Sequence, residues 1–144
     1  MEQRDLIKDK IEQLGKVLAR IISDFLGLKS KGQFAQGIEI SNERFQSELN
    51  IDIEKIIRFD KTETKEYFNH RKLAAPHLEV LSEYFIEIGM GKLEANKAGA
   101  ELYLKKAIEL FDIVDKTSKT LSLERINKKT QIENLIKEQS SFGN

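Results

Sequence analysis

Two histidines, His70 and His77, stand seven residues apart with Pro76 between them and Glu79 and Glu83 just beyond. Imidazole and carboxylate are the groups that would hold zinc in this chain, since it has no cysteine. A zinc site needs three or four ligands at disciplined spacings, such as His-x-x-x-His on one helix turn. A gap of seven across a proline does not supply that, so surface or loop histidines are expected and no metal. Di-iron chemistry in helical bundles needs Glu-x-x-His pairs, and no Glu precedes a His by three residues. Gly89-Met90-Gly91 has neither a preceding strand nor the third glycine of a dinucleotide fingerprint, and Gly-Lys-Ser/Thr does not occur. No serine shares a recognisable nucleophile motif with a histidine. The residues name no reaction and no cofactor; a non-enzymatic role is expected.

Charge offers more. Glu79, Glu83 and Glu87 recur every four residues and so line one ridge of a helix beginning near Pro76. Such a strip either receives a basic or amphipathic peptide or is a solvated face. Lys105-Lys106 and Arg125 with Lys128-Lys129 are short basic clusters. No aromatics interleave them as a nucleic-acid surface would require, and exposed helix charge accounts for them. The chain carries 24 basic and 24 acidic side chains, dispersed along its length, which does not suit phosphate-driven nucleic-acid binding.

The elements that must position these groups are helices. A length of 144 residues with 40% apolar and 33% charged side chains suits one soluble domain of amphipathic helices, expected over residues 1–139 with an unstructured tail at 140–144. A single Pro in the whole chain argues the same way. The start lacks the cationic-then-apolar order of a signal peptide. The greasiest stretch, residues 17–28, contains Arg20 and Asp24 and is too short for a bilayer. The cytoplasm is the expected location, away from membranes.

Ile7, Ile11, Leu14, Leu18, Ile21 and Phe25 follow at steps of four and three, which predicts a first helix over residues 4–26 with Gly27 just past its end. Its stripe, widened by Leu6, Val17, Ile22 and Leu26, implies more than one packing neighbour. The stripe packs within the chain or pairs with a second copy across a two-fold axis, with Leu14, Leu18, Ile21 and Phe25 as contacts. A second helix is expected over residues 32–49, with Phe34, Ile38, Ser41, Phe45 and Leu49 on one face. Asn50 or Asp52 then caps a short helix, and Asp60 with Glu63 has capping-box spacing for another. Leu78, Leu81, Phe85 and Ile88 form a helical stripe that Gly89-Met90-Gly91 should close. A helix over residues 93–114 buries Ala100, Leu104, Ala107, Phe111 and Val114, and a last one over residues 121–137 carries Leu123, Ile126, Ile132, Leu135 and Ile136. No pattern of period two persists, so the fold class is all-α, antiparallel helical hairpins in a bundle or short solenoid.

Residues 78–111 resemble a tetratricopeptide repeat, a helix–turn–helix unit of about 34 residues. Leu78, Leu81, Ser82, Phe85 and Gly89 match its first helix and turn glycine; Ala100, Leu104 and Ala107 match the small-large-small pattern of its second. From Gly89 to Ala100 the gap is eleven residues where the motif has five, and Asp112 replaces its closing proline. Gly32, Gln33, Phe34 and Gly37 are loosely similar to the same turn, but Arg44 breaks the pattern that should follow. The layout also resembles that of small bacterial all-helical proteins, which implies no activity. The repeat resemblance implies a protein-interaction module, with Glu79, Glu83, Ile86 and Glu87 beside a groove that receives a protein or peptide. The alternatives are a structural homodimer through the first helix, and a helical binder or enzyme with a pocket between helices.

Overall fold

The apolar stripes of the sequence become seven α-helices among the described residues, with no strand. The computed structural model describes the backbone of residues 2–142 and the side chains of residues 8–138. In chain order the helices are α1 (Glu2–Ser30), α2 (Phe34–Leu49), α3 (Ile53–Ile56), α4 (Lys61–His70), α5 (Ala75–Lys92), α6 (Lys97–Ser118) and α7 (Leu123–Phe142). The chain divides into two compact units, Met1–Val80 and Leu81–Asn144, and α5 crosses the boundary.

In the first unit α1 runs past Gly27 to Ser30. Gly27 is therefore helical and does not end the helix, which corrects the expected end. A Cβ on Gly37 of α2 would sit 3.3 Å from both Leu28 and Phe25, so α2 approaches the last turns of α1 closely and gives them something to pack on. Gly32 makes the turn instead, with φ +80°. Its N–H donates to Lys29 O and that of Gln33 to Leu28 O, which ties off the carbonyls at the end of α1. Leu18, Ile21 and Phe25 of α1 are fully buried, as is Phe45 of α2, and the rings of Phe25 and Phe34 lie 6.1 Å apart. Leu6 and Ile7 lie outside the described side chains. Arg44 bridges the pair, donating to Asp24 of α1 at 2.6 Å and Glu48 at 2.7 Å.

The short helices start at the caps that the sequence offers. Asp52 accepts from Lys55 N at the start of α3. At α4 the capping box is complete: Asp60 accepts from Glu63 N at 2.8 Å and Glu63 accepts from Asp60 N at 3.0 Å. Ile51, Ile53, Ile56, Ile57 and Phe68 are buried.

In the second unit Leu81, Tyr84, Phe85 and Ile88 of α5 are buried, as are Ala100, Leu104, Ala107, Leu110, Phe111 and Val114 of α6. Here α5 continues through Gly89 to Lys92, and α6 opens at Lys97 rather than at 93. Asn96 sets that start, its side chain accepting from Gly99 N at 3.0 Å. A Cβ on Gly89 would lie 2.6 Å from two atoms of Leu104 and 3.3 Å from Ala100 O. This glycine is thus a contact between two helices, not a turn. Helix α6 ends at Ser118, followed by Lys119 in the left-handed region. Helix α7 runs beyond the expected end at 137 to Phe142; of the five residues expected as a tail, 143 and 144 lie outside the described residues. No helix of the described residues is long and apolar enough to cross a membrane.

Candidate functional site

In the first unit, His77 occupies a place that its local sequence does not announce. It is 1% exposed, so the expectation of a surface or loop histidine is corrected. Ala74 N donates to Nδ1 at 2.9 Å. A ring nitrogen that accepts carries no proton, so the proton is on Nε2, which donates to Ile11 O at 2.8 Å. One imidazole therefore caps the start of α5 and fastens α1. His70 is exposed on α4, and no group of His, Asp or Glu among the described residues could hold a metal ion.

Beside His77 is an open cleft of about 360 Å³, lined also by Lys10, Ile11 and Leu14 of α1 and by Arg71 and Lys72, which follow α4. Its apolar part is the half-buried Ile11 and Leu14. The Arg71 guanidinium stacks over the Tyr67 ring at 3.5 Å, with Nε donating to Asn50 O at 2.7 Å. The Tyr67 hydroxyl in turn accepts from Asp52 N at 2.8 Å. Arg71 is held in place by these contacts before any ligand arrives. Sequence patterns missed this convergence because Lys10 and Arg71 come from segments far apart in the chain.

The acidic ridge is on α5 as its spacing requires, with Glu79, Glu83, Ile86 and Glu87 each half-buried. In the second unit Glu83 is already engaged, forming an ion pair with Lys128 of α7, which also meets Glu124 at 3.2 Å. Burial would lower the Lys128 ammonium, but its bonds to Glu83 and Glu124 outweigh this and raise it above the ordinary lysine value.

The basic clusters, expected as exposed charge, are largely turned inward. Lys105 is exposed, but Lys106 is 2% exposed and paired with Glu109 at 2.6 Å. Arg125 is buried, donating to Asp115 at 2.7 Å and to Thr120 O at 3.0 Å. Lys129 reaches Asp112 at 3.0 Å and Asp115 at 2.7 Å. Helix α7 thus meets α6 through charge, while its apolar residues Leu123 and Ile126, with Leu121 just before, stand 79%, 39% and 85% exposed. Ile132 alone of its apolar side chains is fully withdrawn from solvent among the described residues.

Of the residues that would join two copies through α1, Leu18, Ile21 and Phe25 are completely buried in a single chain, and Leu14 is half-buried at the cleft. That face is used internally. Comparison of the chain with protein-family models, curated proteins and solved structures finds no match in any of the three.

Proposed function

We propose that this chain is a non-enzymatic protein-interaction module built from helical hairpins, and that its partner docks on the apolar edge Leu121, Leu123 and Ile126. The observation that carries the reading is the inversion of α7. This helix turns Arg125 inward and leaves its first two apolar side chains in solvent. Exposed apolar side chains are common singly, but three within six residues make a patch of the kind that partners cover. The acidic ridge that first suggested a partner groove contributes less, since Lys128 of the same chain already meets Glu83. The tetratricopeptide-like character of the hairpin is supported by the close approach of Gly89 to Ala100 and Leu104.

The test is to replace Leu121, Leu123 and Ile126 together by Asp and compare cross-linked partners in cells. Loss of the cross-link with unchanged helicity and thermal midpoint is the expected result. Retention of the same partner would remove the edge from consideration. Light scattering on the parent chain separates a foreign partner from a second copy: a dimer that this variant dissolves makes the partner the chain itself.

A further inference from the structure

Independently of the α7 edge, the first unit carries a second feature. The cleft between α1 and the end of α4 brings three cations, Lys10, Arg71 and Lys72, around a wall of Ile11 and Leu14. Lys10 and Lys72 are exposed, and no carboxylate among the described residues pairs with any of the three. The Nε and Nη1 of Arg71 are spent on the carbonyls of Asn50 and Tyr67, at 2.7 and 3.5 Å. Its Nη2 has no partner among the described residues and is fixed by the stack on Tyr67. Three like charges at one opening repel each other, and an anion relieves that repulsion. The apolar wall selects for a second property in the same ligand. A volume of about 360 Å³ is within the range of small-molecule sites.

We propose that this cleft binds a small anionic amphiphile, a single carboxylate on a short alkyl chain, with the carboxylate at Arg71, Lys10 and Lys72 and the chain along Ile11 and Leu14. His77 lines the cleft but lends it no charge, because Ala74 N–H and Ile11 O occupy both of its ring nitrogens. It is a positioning residue, which keeps Ile11 at the wall.

The probe is decanoate, titrated calorimetrically below its micelle concentration at low salt, against 1-decanol and acetate. Saturable one-to-one binding of decanoate, at least tenfold tighter than either control, is expected. The double substitution Lys10→Gln and Lys72→Gln should weaken it by about tenfold or more, as removal of a charge-assisted hydrogen bond does. Both residues are exposed, so the thermal midpoint of that variant should stay where it was. Leu14→Gln should weaken decanoate and leave any residual acetate binding unchanged. Decanol bound as tightly as decanoate would remove the cations from the site, and acetate bound as tightly would remove the wall; either result overturns the proposal. So does an absence of saturable binding, or an unchanged affinity in the double variant. Capture by phosphatidylglycerol vesicles that decanoate does not displace would assign the cations to a lipid surface, and overturns it as well.

Discussion

Nε2 of His77 donates to the main-chain oxygen of Ile11 across 66 residues of sequence, at 2.8 Å. Gly15 follows Ile11 by four residues in α1 and lies beside the ring. A Cβ placed there comes within 3.9 Å of His77 Cδ2, so a longer side chain would run into the imidazole. Gly15→Ala is an ordinary contact and should be tolerated, adding helix propensity of about 0.8–1 kcal/mol. A larger residue should not be: Gly15→Leu should displace the imidazole. His77→Ala, which leaves Ala74 N–H uncapped and a void behind it, should cost about 2–4 kcal/mol in urea unfolding. If His77→Ala and the parent unfold at the same urea concentration, the imidazole does not fasten α1.

Gly89 gives a prediction whose sign is opposite to the usual one. An alanine inside a helix normally stabilises by about 1 kcal/mol relative to glycine, and Gly89 has no positive φ to forbid it. Yet its Cβ would stand 2.6 Å from Leu104, a side chain with no exposure of its own to move into. Gly89→Ala should therefore destabilise, by about 1–3 kcal/mol of overpacking. Adding Leu104→Ala to it should make the pair less destabilised than the sum of the two single variants. Additive losses would mean that the two residues do not share the contact.

These two residues also show where sequence periodicity stops being informative. The stripes of α1, α5 and α6 and the Asp60–Glu63 capping box are legible because every partner lies within four residues on one helix. Glycine is ambiguous locally, since Gly27, Gly32 and Gly89 carry the same permission to turn. Only Gly32 turns; Gly89 instead lies against Leu104 of the facing helix, a contact that its neighbours in sequence do not reveal. His77 was out of reach for the same reason, its acceptor being on α1. Lys106 did leave a signal: it falls between the buried Tyr103, Ala107 and Leu110, with Glu109 three residues on to receive its charge. Arg125 and Lys129 left none, because their acceptors are on α6 and they reverse the face that hydropathy assigns to α7.

Lys119 closes α6 with φ 56°, a conformation that costs a residue with a Cβ about 1–2 kcal/mol. Its N–H still completes the cap by donating to Asp115 O at 3.1 Å. Lys119→Gly should keep the bond and remove the strain, stabilising by about 1 kcal/mol, with a gain in thermal midpoint of several degrees. Gly32→Ala, at φ 80°, is the mirror experiment and should destabilise by a similar amount. A loss of stability in Lys119→Gly would mean that the lysine side chain contributes more than its backbone costs.

Asp115 ties α6 to α7, accepting from Arg125 and Lys129, both at 2.7 Å. Burial alone would raise its carboxyl, but the hydrogen bonds from Lys129 and Arg125 win and hold it below the ordinary aspartate value. A carboxyl lowered in the folded state contributes stability that is complete above its unfolded pKa, about 3.9, and lost as pH falls through the folded value. Lys129 is the mirror case: burial would lower it, the bonds to Asp115 and Asp112 raise it, and its contribution is present below about pH 10.4 and lost above its raised value. The network should therefore be indifferent to pH between about 5 and 10 and weaken at both extremes. Asp115→Asn keeps the shape and removes the charge, leaving Arg125 buried with its main acceptor neutralised. Thermal midpoints followed from pH 7 to pH 3 should start lower in this variant and fall less steeply than in the parent. Equal slopes would mean that the acid sensitivity of the chain comes from other carboxylates, and that charge does not hold α7 in place.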